Sequence, residues 1–347
     1  MNLQFEAFRA RSAKLCFAGP AYEAYRAVHR IAYGIFMALK PPTIYSPAVR
    51  RTMHWLIPRC WLDQPHEARG EVQYLLCHAQ RLHDSLIQLP SASDANRRCL
   101  VVGSWGIEAP YLIERLGWTD VTCVCAPHAP ASKDTEFKRT LRQHPNADCS
   151  FEFDLLERDL EAGSLPFDDG EFGLVVFWGC FEHLRYDPEG VLYEINRVTA
   201  PNGVMSLVTD NAISFQMTHS LLRGRPMPMR LHEPAPEGHW RLYAPAEIEE
   251  LLRGTGWNVE LLTSIVADPP VYWQWWKRWL FRRLVAGYRR GFGLPEPYWN
   301  AFILAHASKV AAPSRRYPGW LYKDEKIRAL KREMLDVVTN RLQPAGT

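Results

Sequence analysis

LPFDDGEFGLVVFWGCFEHLRYDPEGVLYEINRVTAPNGVMSLVTDNAIS, residues 165–214, decides the fold. Asp168-Asp169-Gly170 is a turn, because short polar side chains and a glycine suit its backbone. The run FGLVVFW after it is apolar throughout, as a strand buried on both faces must be. Pro188 to Thr199 then changes period. Val191, Leu192, Ile195 and Val198 recur at helical spacing and form one inward stripe, with proline acceptable at the first turn. GVMSLVT (203–209) is a second buried strand. One strand, one helix and one strand in 45 residues is the unit of a parallel sheet.

The same alternation runs outward in both directions. CLVVG (99–103) is a short buried strand, and Ile107 to Gly117 is helical in pattern with glycine to end it. VTCVC (121–125) and SFEFD (150–154) are the next strands. Beyond the central unit, Pro245 to Arg253 is a helix, WNVELLTSIV (257–266) a strand and NAFILAHAS (300–308) another. Such alternation predicts an α/β fold, a Rossmann-like, mostly parallel seven-stranded sheet with helices on both faces. Its ligand site is expected beyond the carboxyl ends of the strands. The sheet domain is expected over 96–310, interrupted by an insertion at 266–299. Residues 1–95 read as a helical extension, with one apolar face from Tyr25, Val28, Ala32, Ile35 and Leu39. A second face comes from Val72, Leu75, Leu76, Ala79, Leu82 and Leu86. Residues 311–347 read as a charged helical tail.

Composition narrows the function. The chain has 347 residues, 47% hydrophobic and 23% charged, with a formal net charge of +3. That is ordinary for a globular protein and too weakly basic to point to nucleic acid as a partner. The eight cysteines form no CxxC pair, so neither a disulfide framework nor structural zinc is expected, and a reducing, cytoplasmic setting is. The apolar run Ile31 to Leu39 is far shorter than the ~20 residues a membrane-crossing helix needs. The insertion carries YWQWWKRWLFRRLVAGYRRGFG (272–293). Tryptophans beside arginines suit contact with a membrane surface through 271–290, and equally suit packing on the N-terminal helices.

Segments of this chain resemble class I methyltransferases that use S-adenosylmethionine, of the type 11-like group found with polysaccharide and glycolipid genes. The resemblance rests on Leu165-Pro166-Phe167, on Phe172 to Val175, and on Glu182-His183-Leu184. It continues through Glu194 to Val198 and the turn Pro201 to Gly203. GHWRLYAPAEIEELLRGTGW (238–257) carries the family's H-x-R-x-Y-x-P-x-E-x-x-x-L-L pattern. The resemblance implies O-methylation of a sugar hydroxyl or another small acceptor. It also implies that Gly103, Ser104, Trp105 and Gly106 form the cofactor loop, and that Phe177, Trp178 and Gly179 lie beside the methionine part. Asp154, with Leu155, would end the third strand and meet the adenine.

The loop departs from the family's G-x-G-x-G. Trp105 and Ile107 stand where glycines belong, and Cys125 stands where a ribose-binding acid is expected, although a thiol is a weak acceptor. Glu108 is the candidate replacement. His183, His239 and Glu182 are the candidate proton acceptors. His239 and Arg241 are alternatively fixing residues of the loop that closes the site. No metal is expected. Two readings stay open: a pocket that binds S-adenosylmethionine through altered contacts, or a catalytically silent binding or scaffold module whose cavity Trp105 plugs.

Overall fold

The computed structural model describes residues 46–59, 78–126, 140–143, 152–161, 163–222, 224, 239–265, 283 and 300–313. The expected N-terminal helix at 25–39, the Trp-rich insertion and the charged tail lie outside the described residues. The chain divides into two compact units, 1–48 and 49–347. The whole sheet belongs to the second.

Among the described residues, two α-helices precede the sheet, α1 (Pro47–Leu56) and α2 (Ala79–Leu86). The sheet then builds from β1 (Arg98–Val102), α3 (Ala109–Leu116), β2 (Asp120–Cys125), β3 (Thr140–Gln143) and β4 (Glu152–Glu157). β5 (Phe172–Trp178), α4 (Pro188–Val198), β6 (Thr199–Asp210) and α5 (Phe215–Leu222) come next. α6 (Pro245–Gly254), β7 (Trp257–Ile265) and β8 (Phe302–Lys309) complete it. The spatial order is β3-β4-β2-β1-β5-β6-β8-β7. β4, β2, β1, β5 and β6 pair in parallel, and β8 runs antiparallel to both its neighbours.

The seven expected strands are present, and an eighth, β3, adds an antiparallel edge beside β4. Nothing in its sequence stood out, because four residues carry too little periodicity to read. The chain winds outward from β1 through β2 to β4, then returns to lay β5 on the other side of β1. The strand order therefore reverses between β1 and β5, and a crevice is expected at their carboxyl tips.

Helix ends follow from their residues. Pro188 opens α4, and the Asp187 carboxylate accepts from Gly190 N at 3.0 Å. Val191, Leu192, Ile195 and Val198 are all buried, as their spacing predicts. Gly117, at φ 76°, ends α3 in the left-handed conformation that glycine adopts without a Cβ clash. α4 and α6 supply side chains to one apolar cluster with Leu100, Val102, Val124, Val175 and Phe177.

Arg197 explains two motif segments at once. Its guanidinium donates to Phe167 O at 2.7 Å and Leu165 O at 2.9 Å, and pairs with Asp169 and Glu194. Glu194 Oε1 also accepts from Leu165 N at 2.6 Å. The E-x-x-R of α4 thus clamps the LPF segment and its turn to that helix. Those motifs are structural.

Candidate functional site

Two groups of residues meet at the carboxyl edge of the sheet. The first is the turn after β1. Gly103 (φ 79°) and Gly106 (φ 99°) hold conformations that side chains rarely adopt. A Cβ on Gly103 would lie 2.4 Å from Cys180 Cβ, and one on Gly106 would lie 2.3 Å from the Phe153 ring. Ser104 Oγ donates to the Glu108 carboxylate and accepts from Gly106 N at 3.1 Å. Glu108 is buried, and burial raises its pKa, with the Ser104 hydrogen bond opposing. Its carboxyl therefore serves the turn, which corrects its expected role as a ribose acceptor. Trp105 and Ile107 both keep part of their surface exposed.

Register corrects the expectations for the second and third strands. Cys125, at the tip of β2, pairs with Glu157, the last residue of β4, while Asp154 pairs with Thr122 in mid-strand. Asp154 is three residues short of the tip and Leu155 is two short, so neither ends the strand. The sequence pattern stops that strand at Asp154 because the acidic residue looks like a terminus. The carboxylate level with Cys125 is Glu157. The Cys125 thiol is buried and donates to Leu156 O at 3.7 Å, a structural contact.

Phe177 is fully buried and meets Phe181 edge-on at 5.7 Å, so it is core and not cofactor lining. Trp178 is also buried, its indole N–H donating to Ser206 Oγ at 2.9 Å. Gly179 (φ 60°) does sit at the tip of β5. A Cβ there would lie 2.9 Å from Arg81 Nη1. Arg81 is itself buried, with its guanidinium 5.1 Å from the Phe302 ring. Sequence reasoning missed Arg81, whose signal was a cation among buried positions of an otherwise apolar helix face.

The second group is built on β5 and β6. After Gly179 and Cys180, the short 3-10 turn Phe181–His183 places Glu182 and His183 side by side. Thr209 Oγ1, near the tip of β6, donates to Glu182 Oε2 at 2.8 Å and fixes that carboxylate. Trp240 N and Arg241 N donate to Glu182 O at 2.9 and 3.4 Å. Those bonds join His239 to a turn far earlier in the chain. His239 Nδ1 lies 2.6 Å from Asp210 Oδ2, and the His183 and His239 rings meet edge-on at 4.7 Å. Glu182, His183 and His239 each bring one ligand-capable atom, all within 4.8 Å of one another.

The structure thus assembles the three residues expected as proton acceptors and adds Asp210, which sequence reasoning missed. Asp210 directly follows the expected strand, but its partner could not be known before β6 and the 239–243 segment were docked. The His239 pKa is raised by the hydrogen bond to Asp210, against the cost of burial. Glu182 is raised by burial and then by the Asp210 charge. Arg241, expected to fix this loop, pairs with Glu247 at 2.9 Å. Arg185 lies over the exposed Trp240 ring at 4.8 Å, and Tyr186 beside it is also exposed. Glu161 accepts from the backbone N–H groups of Arg185, Tyr186 and Asp187 and holds this rim in place.

The donor set suits S-adenosylmethionine in part. A guanidinium at Gly179 matches a carboxylate, and Glu157 at the β4 tip matches ribose hydroxyls. The glycines of the β1 turn admit Cys180 and Phe153, so their spare space is already taken by the protein.

Several solved structures are similar to this chain. One is a Burkholderia thailandensis 1,6-didemethyltoxoflavin-N1-methyltransferase with bound 1,6-didemethyltoxoflavin and S-adenosylhomocysteine. It is 15% identical, with 85% of this chain and 92% of that chain covered and a TM-score of 0.37. An S-adenosylmethionine-dependent methyltransferase from Mesorhizobium loti is 13% identical, covering 66% and 97%, with a TM-score of 0.38. A chain from the Haloferax volcanii complex of the Trm112 methyltransferase activator with a methyltransferase is 14% identical, covering 71% and 94%, with a TM-score of 0.42. No curated protein matches. The family model described as "Methyltransferase domain" matches residues 76–262. That span is more than half of the chain and includes β1 to β6 and the whole Glu182–His239 cluster, so the protein belongs to the methyltransferase domain family.

Proposed function

We propose that the protein transfers a methyl group from S-adenosylmethionine to a hydroxyl of a sugar or other small acceptor. The observation that carries this reading is the Glu182–His183–His239–Asp210 cluster at the tips of β5 and β6, one strand from the point where strand order reverses. Bound there, the cofactor supplies a methyl group already activated on a sulfonium. The protein's tasks are then positioning and removal of one proton. Arg81 and Glu157 are the residues that would hold the cofactor's carboxylate and ribose, with Gly103 and Gly179 at the floor between them.

Asp210 on Nδ1 sets the histidine tautomer. It holds the Nδ1 proton and leaves Nε2 as the acceptor nitrogen, the arrangement a general base needs. The raised pKa of His239 keeps that nitrogen basic enough to take a proton from a hydroxyl. The exposed Trp240, next to His239 in the chain and stacked by Arg185 at 4.8 Å, is an aromatic surface suited to the apolar face of a sugar ring. In a surface-glycan role the enzyme works in the cytoplasm, with 271–290 against the membrane that carries lipid-linked acceptors. A net charge of only +3 favours a small acceptor over nucleic acid.

A silent binding module is the second reading, favoured by the packing of Cys180 and Phe153 against the loop glycines. Titration calorimetry with S-adenosylmethionine and S-adenosylhomocysteine separates the two. The enzyme reading expects micromolar heat with both, then transfer of labelled methyl to a panel of glycosides. No heat with either ligand supports the silent module.

A further inference from the structure

We propose that Glu182, His183 and His239 bind one divalent first-row metal ion, and that this ion receives the acceptor's hydroxyl through its open positions. The geometry is that of a three-ligand site. The ligand-capable atoms lie within 4.8 Å of one another. Two ligands on one ion at ~2.1 Å each stand about 3 to 4 Å apart, so side-chain shifts of about 1 Å close the set. The ligands are also preorganised. Glu182 and His183 are fixed on a single 3-10 turn, and the Thr209 hydroxyl holds the Glu182 carboxylate at 2.8 Å. His239 is joined to that turn by the Trp240 N–H on Glu182 O at 2.9 Å.

Asp210 supplies the independent observation. Its carboxylate sits 2.6 Å from His239 Nδ1, which leaves Nε2 for the ion. A carboxylate on the far nitrogen of a ligating imidazole is the usual outer partner of a metal-bound histidine, fixing its ring and raising its basicity. A hydrogen-bonded pair of this kind at a strand tip, next to a second imidazole and a buried carboxylate, has the makings of a cation site. Two imidazoles and one carboxylate with open positions favour Mn²⁺, Co²⁺ or Zn²⁺ over Mg²⁺, which prefers all-oxygen shells.

The ion's place in the reaction rests on the methyl-transfer reading; its binding does not. On the ion, the acceptor O–H is made more acidic, and its proton leaves to water while the oxygen keeps the electron pair. An acceptor with two neighbouring hydroxyls can fill two open positions, so a vicinal diol is the expected class. His239 then acts as ligand, which replaces its role as free base.

The test uses the full chain, stripped with chelator, without cofactor or acceptor. Mn²⁺ is titrated and followed by electron paramagnetic resonance, and Co²⁺ by its visible absorption. One equivalent bound at micromolar concentration is expected. His239→Ala and His183→Ala should each weaken binding at least ~100-fold, and Asp210→Asn about 10- to 100-fold. Circular dichroism checks that each variant is folded, and Glu182→Gln provides a conservative fourth variant that keeps the side-chain volume. Failure of the wild type to bind either ion, or equal binding by folded His239→Ala, overturns the proposal. An ion bound without any methyl transfer would overturn the function and leave the site standing.

Discussion

Two turns at the same edge of one sheet differ in what their polar groups do. At the tip of β1, Ser104, Glu108 and Gly106 bond to one another, and Cys180 and Phe153 fill the space that the glycines leave. At the tips of β5 and β6, Glu182, His183, His239 and Asp210 converge, and His239 keeps a third of its side chain exposed. A closed polar set stabilises a turn. An open set, in which Glu182 and His239 have raised proton affinity, is available to a ligand. The family pattern gives the β1 turn to the cofactor and the EHL and H-x-R segments to proton transfer, and the side chains bring those two segments together one strand further along.

Substitutions at the two turns should therefore separate activity from stability. The largest expected effect is on turnover. Asp210→Asn and His239→Gln should lower the methyl-transfer rate ~100- to 10,000-fold while leaving the denaturant midpoint nearly unchanged. Single-turnover assays with labelled cofactor measure this; a midpoint that falls along with the rate would erase the distinction. Next comes Gly106→Ala, which places a methyl 2.3 Å from the Phe153 ring at φ 99°. It should cost about 2 to 4 kcal/mol in urea unfolding. Adding Phe153→Leu should recover part of that loss, since the ring is the obstacle.

A pH effect of intermediate size should come from His78 at the start of α2. Burial, and then the Arg81 charge, lower its pKa to about 4. Its ring also meets Phe302 edge-on at 6.5 Å. Since the folded pKa lies below the unfolded value near 6.5, the unfolded state binds more protons between those limits. Stability should therefore fall as pH drops from about 6.5 to 4, by on the order of 2 kcal/mol. His78→Gln should flatten that slope in melts taken across the window. The smallest effect belongs to Ser104→Ala, which removes the partner of a buried carboxyl and should cost about 1 to 2 kcal/mol. Calorimetry should show cofactor affinity little changed, since Glu108 faces the turn and not the ligand.

Legibility in the sequence followed the range of each interaction. The inward faces of α4, the buried run of β5 and the order of strand and helix could be read because periodicity is local to ten residues or so. The Arg197 clamp shows the limit of reading motifs as function. Glu194, Arg197 and the LPF segment look like family marks, and their contacts hold a turn in place. The end of β4 is misjudged at Asp154 from sequence because a strand's last residue is set by pairing with β2, where Cys125 meets Glu157. Arg81 and Asp210 stayed hidden for the same reason, since each acquires meaning only beside residues far away in the chain.

By itself, then, the sequence determined the alternating α/β architecture, the family and three members of the reactive cluster, since hydrophobic period and short motifs are properties of neighbouring residues. Only the tertiary structure decided that His239 rests on Asp210, that the loop glycines admit Cys180 and Phe153, and that Arg81 covers the tip of β5. Those are contacts across strand registers and between segments, and the docking of the sheet sets them.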